Sequence, residues 1–260
     1  MRFRDPRVSA GRDAPVIAPR FCAVVPTYDN PLTIRAVVER IRAHVPDVVV
    51  VDDASGPAGR EAVDGLARDG LAGVVRRERN GGKGAAVRDG LRAAHDLGFT
   101  HAVQIDADGQ HDLADVPRFL AAAESDPHAL VLGCPVFDAG APRSRVRGRL
   151  ISRFWTDLET GGRTIADPLC GFRIYPLAAA VRAGARADRM GFDPEIAVRM
   201  VWHGSRVANL PTRIRYLAPE EGGVSHFRMF RDNAEISWTH ARLCAGALLR
   251  LATGRRLHPR

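Results

Sequence analysis

Two aspartates stand two residues apart at the end of a predicted strand within residues 102–112. Val103 and Ile105 alternate with polar residues as in a β-strand, and Asp106 and Asp108 close the run. α/β sheets bind ligands at the carboxyl ends of their strands. Two carboxylates this close repel each other unless a cation lies between them, and Mg²⁺ and Mn²⁺ prefer such oxygen ligands. The stretch predicts a divalent-metal site that also holds phosphate oxygens, with a solvated turn as the alternative.

A second acidic strand end and a glycine loop come earlier in the chain. Val48–Val51 predicts a strand buried on both faces, and it ends in Asp52 and Asp53. A carboxylate there can accept from a nucleobase or a ribose hydroxyl, with a helix N-cap as the alternative. In the loop Asn80–Gly84, glycines let the backbone approach a phosphate or base, and Lys83 adds a positive charge. A plain loop is the alternative there.

Two common nucleotide-binding signatures are missing from the sequence. The glycine loop is not a Walker A sequence, because the spacing G-x-x-x-x-G-K-[ST] is absent. The first predicted strand, Phe21–Pro26, is not followed by G-x-G-x-x-G, which counts against a dinucleotide-binding enzyme.

Short apolar runs alternate with segments of helical periodicity from residue 21 to residue 133. Acidic residues or the Gly-Lys pair follow three successive predicted strands. This order predicts an α/β fold with a mostly parallel sheet covered by helices on both faces. After the first strand, Asn30 can cap a helix whose first turn holds Pro31. Further on, residues 191–202 predict a helix with Asp193 at its N-cap and Glu195 at its start. Residues 207–216 are typical of a strand.

Composition limits the class of protein and its partners. The 260 residues are 45% hydrophobic and 26% charged, which fits one globular domain with or without an appendage. The formal charge of +8 indicates anionic partners: nucleotide phosphates, nucleic acid or an acidic membrane surface. The four cysteines form no C-x-x-C pair, so we expect reduced thiols and no zinc site.

Two later segments are candidates for membrane contact. Residues 146–158 predict a basic amphipathic helix with aromatic residues, and residues 231–251 a helix that is apolar around most of its circumference. Packing on the protein's own core is the alternative for both. We find no signal peptide and no apolar run of spanning length, so we expect a cytoplasmic protein, peripheral on the inner face of the membrane. The expected organisation is a flexible leader at 1–20, a main domain at 21–230 and a C-terminal helix with a basic tail at 231–260.

Five motifs in order resemble a family 2 glycosyltransferase of GT-A fold. They are the segments around Pro26–Asn30, Asp52–Ser55, Asn80–Gly84, Asp106–Gln110 and Asp167–Tyr175. Within that family, the chain is most similar to dolichol-phosphate mannosyltransferases and bacterial polyprenyl-phosphate sugar transferases. The resemblance covers roughly residues 20–230.

The resemblance implies a role for each matching position. The metal, Mg²⁺ or Mn²⁺, would be bound by Asp106, Asp108 and Gln110. The nucleotide-sugar would be bound by Pro26, Thr27, Tyr28, Asp52, Asp53, Lys83, Asp106, Ala107, Asp108, Arg173, Ser225, His226 and Arg228. The branch often has Ser-Lys where this chain has Ser225-His226. The positive charge that this loop brings to the diphosphate would therefore depend on pH or come from Arg228.

The implied reaction inverts the anomeric carbon as a sugar moves from a nucleotide-sugar to a lipid-linked acceptor. A polyprenyl phosphate is already ionised, whereas a lipid hydroxyl needs a base, for which Asp193, Glu195 and Asp167 are the candidates, with Asp193 preferred. We expect membrane contact and no nucleic-acid partner. The alternatives are a sugar-nucleotide nucleotidyltransferase, which normally has a glycine-rich loop after its first strand, and a non-catalytic basic binding module.

Overall fold

The computed structural model describes residues 18–137, 143–162, 164–215 and 228–258. Its strands are β1 Phe21–Thr27, β2 Val48–Asp52, β3 Gly73–Arg76, β4 His101–Gln104, β5 Leu130–Phe137, β6 Arg173–Pro176 and β7 Val207–Ile214. They form one sheet in the order β3-β2-β1-β4-β6-β5-β7. β6 runs antiparallel to β4 and β5, and the other neighbours are parallel. The predicted mostly parallel sheet is confirmed.

Helices cover both faces of this sheet. They are α1 Ile34–Arg42, α2 Pro57–Arg68, α3 Lys83–Asp96, α4 Val116–Ser125, α5 Arg143–Thr160, α6 Leu177–Ala183, α7 Phe192–Trp202 and α8 Met229–Ala252. One core holds α1, α2 and α4 against the sheet, and the other holds α3, α6 and α7 with part of α8. Successive β2 residues point to opposite faces, so Val50 enters the first core and Val51 the second. The four valines are buried because both faces of their strand are covered.

Three local features differ from the sequence-based expectations. Helix α6 was not predicted. Helix α1 begins at Ile34 rather than directly after Asn30, whose side-chain oxygen accepts from the Thr27 hydroxyl and the Tyr28 N–H and so closes a turn. Helix α7 has Gly191 at its N-cap, so Asp193 lies in the first turn instead of capping the helix. Most of the predicted leader lies outside the described residues.

Helix α5 carries its apolar side chains on the outside. Leu150, Ile151, Phe154 and Leu158 are more than half exposed, whereas Ser152, Thr156, Glu159 and Thr160 are buried. The predicted helix is therefore confirmed, but its packed face is polar. Helix α5 therefore leaves an apolar surface exposed.

The buried face of α5 joins α8 through hydrogen bonds. Ser152 Oγ lies 2.6 Å from His240 Nε2, and His240 Nδ1 lies 2.8 Å from Glu159 Oε1. All three side chains are buried, and burial raises the pKa of the Glu159 carboxyl. A buried polar group without a hydrogen-bond partner costs free energy of folding. His240 pairs with both Ser152 and Glu159, so it avoids this cost at two positions.

The C-terminal helix α8 extends the exposed apolar surface. Phe230 is 90% exposed, and Trp238, Leu248 and Leu249 are also more than half exposed, while Ile236 and Leu243 are buried. The helix is confirmed over a slightly longer range than predicted. In the part of the chain that the structure describes, no helix combines the length and the apolar character needed to cross a membrane.

We predict that His240→Ala destabilises the fold. The change leaves Ser152 and Glu159 buried without their shared partner, at a cost of about 1–3 kcal/mol in the free energy of unfolding. Urea unfolding followed by circular dichroism measures the effect. His44→Ala, at an exposed histidine on the other side of the sheet, is the matched control. Equal stability losses in the two variants would contradict a role for the α5–α8 network.

Candidate functional site

The carboxyl ends of β1, β2 and β4 meet at one edge of the sheet. Thr27 at the end of β1 lies opposite Asp52 at the end of β2, and β4 pairs with the other side of β1. Asp106 follows β4 after one residue. The parallel register therefore brings together acidic residues that are about fifty positions apart in the chain.

Lys83 joins two carboxylates from different parts of the fold. Its Nζ lies 2.9 Å from Asp106 Oδ2 and 3.0 Å from Asp193 Oδ2. Lys83 is the first residue of α3, and Asp193 lies in the first turn of α7. It is also the only lysine in the sequence, which has arginine at its other 37 basic positions. The ion pairs connect the glycine loop, the strand end and α7.

Burial and neighbouring charges act in opposite directions on these groups. Burial by itself would lower the pKa of Lys83, but Asp106 and Asp193 outweigh it and hold the pKa above its ordinary value. Burial would likewise raise the pKa of Asp106, but Lys83 and then His111 bring it well below its usual range. Asp106 is therefore a carboxylate at neutral pH.

Asp106 and Asp108 provide the oxygen donors that the sequence predicted for a metal. Burial raises the pKa of Asp108, and the neighbouring Asp106 carboxylate raises it further, so the two groups repel each other. The backbone N–H of Gln110 donates to Asp108 Oδ1. Asp106 Oδ1 is buried, and among the described residues it has no hydrogen-bond partner.

These features fit a divalent cation that also binds a ligand. Within the described segments, no three histidine, cysteine or acidic side chains are arranged to hold a metal by themselves. A magnesium-type ion needs fewer protein ligands, because it usually takes one or two carboxylates and completes its shell with water and phosphate oxygens. Two carboxylates with an unpaired buried oxygen match that requirement.

The carboxylates of Asp52, the last residue of β2, and of Asp53, which follows it, already accept hydrogen bonds within the protein. Asp52 is fully buried, and it accepts from the Ser55 N–H and from Arg76 Nε, both at 2.9 Å. Asp53 accepts from the backbone N–H groups of Gly81 and Gly82 at 2.9 and 2.6 Å. Asp52 therefore shapes the strand end, and Asp53 ties it to the glycine loop. Direct contact of either residue with a nucleoside stays a prediction.

The first motif lies beside these loops. Pro26 and Thr27 are buried at the end of β1, and Tyr28 is partly exposed. Asp29 was not among the predicted site residues. Its N–H donates to Ser55 Oγ and its carboxylate accepts from the Gly56 N–H, so it fixes the first loop against the second. A role for Pro26, Thr27 and Tyr28 in nucleotide binding stays a prediction.

At two positions near the site, neighbouring atoms come so close to the backbone that only glycine fits. A Cβ on Gly171 would overlap the Asp106 carboxylate, so the loop from Asp167 to Phe172 passes directly against the acidic strand end. A Cβ on Gly84 would overlap Phe192, which immediately precedes Asp193. The first contact brings the 167–173 loop to the acidic strand end, and the second brings the start of α7 to the glycine loop.

Arg173 connects two segments beside the site. It is 0% exposed, and its guanidinium donates to the backbone carbonyls of Cys170, Asp193 and Pro168 at 2.6, 2.7 and 2.6 Å. A planar guanidinium with several donors can hold the 168–170 loop to the start of α7 in this way. Contact of Arg173 with the nucleotide-sugar stays a prediction.

The three predicted bases are in different surroundings. Asp193 faces Lys83 and so lies beside Asp106. Asp167 accepts from Arg149 Nη1 at 2.6 Å and from the Leu169 N–H, in the loop against Asp106. Glu195 is turned elsewhere: its Oε2 accepts from the backbone N–H groups of residues 186 and 187, and its Oε1 faces two arginines. The structure therefore brings Asp193, and not Glu195, together with the acidic strand end.

The remaining predicted residues divide between described and undescribed segments. Ala107 is buried, and its carbonyl accepts from the Thr33 hydroxyl. Ser225 and His226 lie outside the described residues. Arg228 is exposed, and its backbone N–H donates to Asp232 at the start of α8.

His111 is the site residue that the sequence reasoning left without a role. Its Nε2 lies 3.6 Å from Asp106 Oδ2, and its ring is buried, with Nδ1 unpaired among the described residues. The available signal was its position three residues after Asp108, in the same turn.

Comparisons with known proteins agree with this arrangement. The family model described as glycosyl transferase family 2 matches residues 22–185. An undecaprenyl-phosphate mannosyltransferase from Micrococcus luteus is 29% identical over 206 residues, which cover 74% of this chain and 82% of the relative. A polyprenol monophosphomannose synthase from Mycolicibacterium smegmatis is 29% identical over 184 residues, which cover 68% and 66% of the two chains.

A solved structure shows a similar fold. Glucosyl-3-phosphoglycerate synthase from Mycobacterium tuberculosis, in complex with Mn²⁺, uridine diphosphate and phosphoglyceric acid, superposes with a TM-score of 0.66. The sequences are 16% identical, and the match covers 87% of this chain and 78% of the other. This likeness concerns the fold, and it confirms the predicted GT-A architecture.

We predict that Lys83→Met destabilises the protein most at neutral pH. Without the ammonium, burial raises the pKa of Asp106, so folding is penalised wherever the unfolded chain keeps that carboxylate ionised. The loss in unfolding free energy at pH 7.5 should be about 2–4 kcal/mol, and it should shrink as the pH falls to 5. Urea unfolding at both pH values measures it.

The control for this experiment is Arg92→Met, which removes one exposed positive charge from the same helix. It should be nearly neutral at both pH values. If the loss of unfolding free energy in Lys83→Met does not change with pH, the missing ion pairs are not its cause.

Proposed function

The chain belongs to glycosyl transferase family 2 and is a glycosyltransferase, and on this premise we propose that it moves a hexose from a nucleoside-diphosphate sugar to a polyprenyl phosphate with inversion at the anomeric carbon. The observation that carries the proposal is the Asp106–Asp108 strand end beside Lys83, with one buried carboxylate oxygen unpaired among the described residues. Because the chain belongs to this family, we set aside the two alternatives drawn from the sequence, a nucleotidyltransferase and a binding module.

The named relatives support the acceptor. The Micrococcus luteus protein is named an undecaprenyl-phosphate mannosyltransferase, and the Mycolicibacterium smegmatis protein is named a polyprenol monophosphomannose synthase. A phosphate acceptor is already ionised at neutral pH, so the chain needs no general base to activate it. This fits a site in which Asp193 is paired with Lys83 and Asp167 with Arg149. A hydroxyl acceptor would instead need one of these carboxylates as the base, and Asp193 is then the better placed.

On the donor side, Asp106, Asp108 and Gln110 would hold the divalent metal. When bound, the ion supplies positive charge to the leaving diphosphate. Lys83 adds a second positive charge at the start of α3, where backbone N–H groups also favour anions. Asp53 holds the glycine loop in place from the nucleoside side. A structural neighbour was crystallised with Mn²⁺ and uridine diphosphate, which supports a divalent metal as the cofactor.

The outer faces of α5 and α8 are the proposed membrane contact. Their exposed apolar residues include Phe154 and Phe230, and the packed face of α5 is polar. Helices with apolar residues outside and basic residues nearby suit the interface of a bilayer with anionic lipids. This surface would bring the site to a lipid acceptor, and a peripheral position on the inner face of the cell membrane is part of the proposal.

We predict that Asp108→Ala abolishes glycosyl transfer and leaves the fold intact. Asp108 is one of two carboxylates at the proposed metal site, and burial and its acidic neighbour penalise its charge, so its loss should not weaken the native state. The measurements are transfer of radiolabelled sugar to undecaprenyl phosphate and a thermal-shift screen. The screen covers UDP-, GDP- and dTDP-sugars with and without Mn²⁺, because a ligand of the native state raises the unfolding midpoint.

The matched control is Asp112→Ala, which removes a half-buried carboxylate of the same stretch that accepts from the Ala114 N–H. It should retain transfer and the metal-dependent thermal shift. Unaltered metal dependence in Asp108→Ala would contradict the metal assignment. If no sugar nucleotide shifts the folded wild type, the proposed donor class is wrong.

We also predict that Ile151→Asp/Phe154→Asp weakens binding to vesicles about tenfold or more. Burial of one large apolar side chain contributes roughly 1.5–3 kcal/mol, and the new charges oppose insertion. Co-sedimentation with vesicles of phosphatidylcholine and phosphatidylglycerol measures the effect. The control Leu97→Asp changes an exposed leucine at the end of α3. Equal losses in both variants would contradict the α5 surface as the contact.

A further inference from the structure

A basic cavity lies between α7, α8 and the segment before α7. Its volume is about 370 Å³, and its lining includes Arg186, Arg199, Arg242, Glu195 and Trp202. Three arginines and one glutamate thus line a single concave space. Such an excess of positive charge within a cavity attracts anions.

Glu195 is held by the backbone more closely than by the arginines. Its Oε2 accepts from the N–H groups of Arg186 and Ala187 at 2.9 and 2.7 Å. Its Oε1 lies 3.5 Å from Arg242 Nη2 and 3.9 Å from Arg199 Nη1, which is beyond ordinary hydrogen-bond length. The carboxylate therefore leaves most of the guanidinium donors available.

The arginines differ in how firmly they are positioned. Arg199 Nε donates to the Ala183 carbonyl at 2.6 Å, which fixes its guanidinium at the cavity wall. Within the described ranges, the Arg186 guanidinium has no hydrogen-bond or ion-pair partner. Arg242 is exposed on α8, with only the long contact to Glu195. One fixed donor and two adjustable ones can converge on an anion with several oxygens.

The cavity also borders apolar surface. On α8, Trp238 and Leu249 lie four residues before and seven after Arg242, on the same side of the helix, and both are exposed. The Trp202 ring contributes an aromatic wall. A ligand held at its charged end by arginine therefore finds apolar contacts at the cavity margin.

We propose that this cavity is a second anion site, separate from the glycosyl-transfer site, and that it binds a phosphate or phosphate ester through Arg186, Arg199 and Arg242. Free phosphate and a phospholipid headgroup share the required chemistry. The site does not depend on the proposed transfer reaction, because none of these arginines contacts Lys83, Asp106 or Asp108 in the described structure.

The test compares the full chain with Arg186→Gln/Arg242→Gln. One arm is calorimetric titration with inorganic phosphate, and the other is co-sedimentation with phosphatidylcholine vesicles with and without phosphatidic acid. Arg60→Gln/Arg182→Gln removes two exposed positive charges elsewhere and is the matched control. Arg186→Lys/Arg242→Lys keeps the charge without the bidentate fork, so it should bind more weakly than the wild type and more tightly than the glutamine pair.

The expected result is at least a tenfold loss of phosphate affinity in the glutamine pair and little change in the control. If only the preference for phosphatidic acid vesicles is lost, the ligand is a lipid headgroup. If inorganic phosphate binding is lost as well, free phosphate suffices. No binding in either arm, or equal losses in the glutamine pair and the control, would overturn the proposal. Circular dichroism and the thermal shift with sugar nucleotides show separately whether each variant is folded and retains its donor site.

Discussion

The site depends on one ammonium group shared by two carboxylates. Lys83 lies between Asp106, at the end of β4, and Asp193, at the start of α7, and it begins α3 itself. The compact ammonium donates to two carboxylates in different directions. Lys83 is the one lysine in a sequence whose other 37 Lys/Arg positions are all arginine. Arg173 also fixes the start of α7, because its guanidinium donates to the backbone carbonyl of Asp193.

A second constraint is the reversed polarity of α5. Its polar face is satisfied by α8 through His240, so its apolar face can remain outside without leaving buried groups unpaired. Helix α8 also borders the basic cavity at Arg242. Apolar surface and positive charge are therefore adjacent, as a protein that meets a lipid phosphate requires.

Much of the fold and the centre of the site could be predicted from the sequence. The valines at 48–51 and the acidic strand ends indicate a parallel sheet, and parallel strands place their carboxyl ends together. The burial of Arg173 could not be predicted, since its carbonyl partners come from two distant segments. The face of α5 that packs could not be predicted either. Periodicity locates an apolar stripe but does not say whether core or lipid covers it.

A single lysine has a consequence for labelling chemistry. Every ε-amine in the protein belongs to Lys83, whose two ion pairs keep it protonated, so an amine-directed reagent should modify the α-amino group of the folded protein first. Biosynthetic incorporation of ¹⁵N-labelled lysine would instead place one ε-ammonium resonance beside Asp106 and Asp193 and leave the ion pairs unchanged. That resonance would report protonation and occupancy at the site without interference from any other lysine.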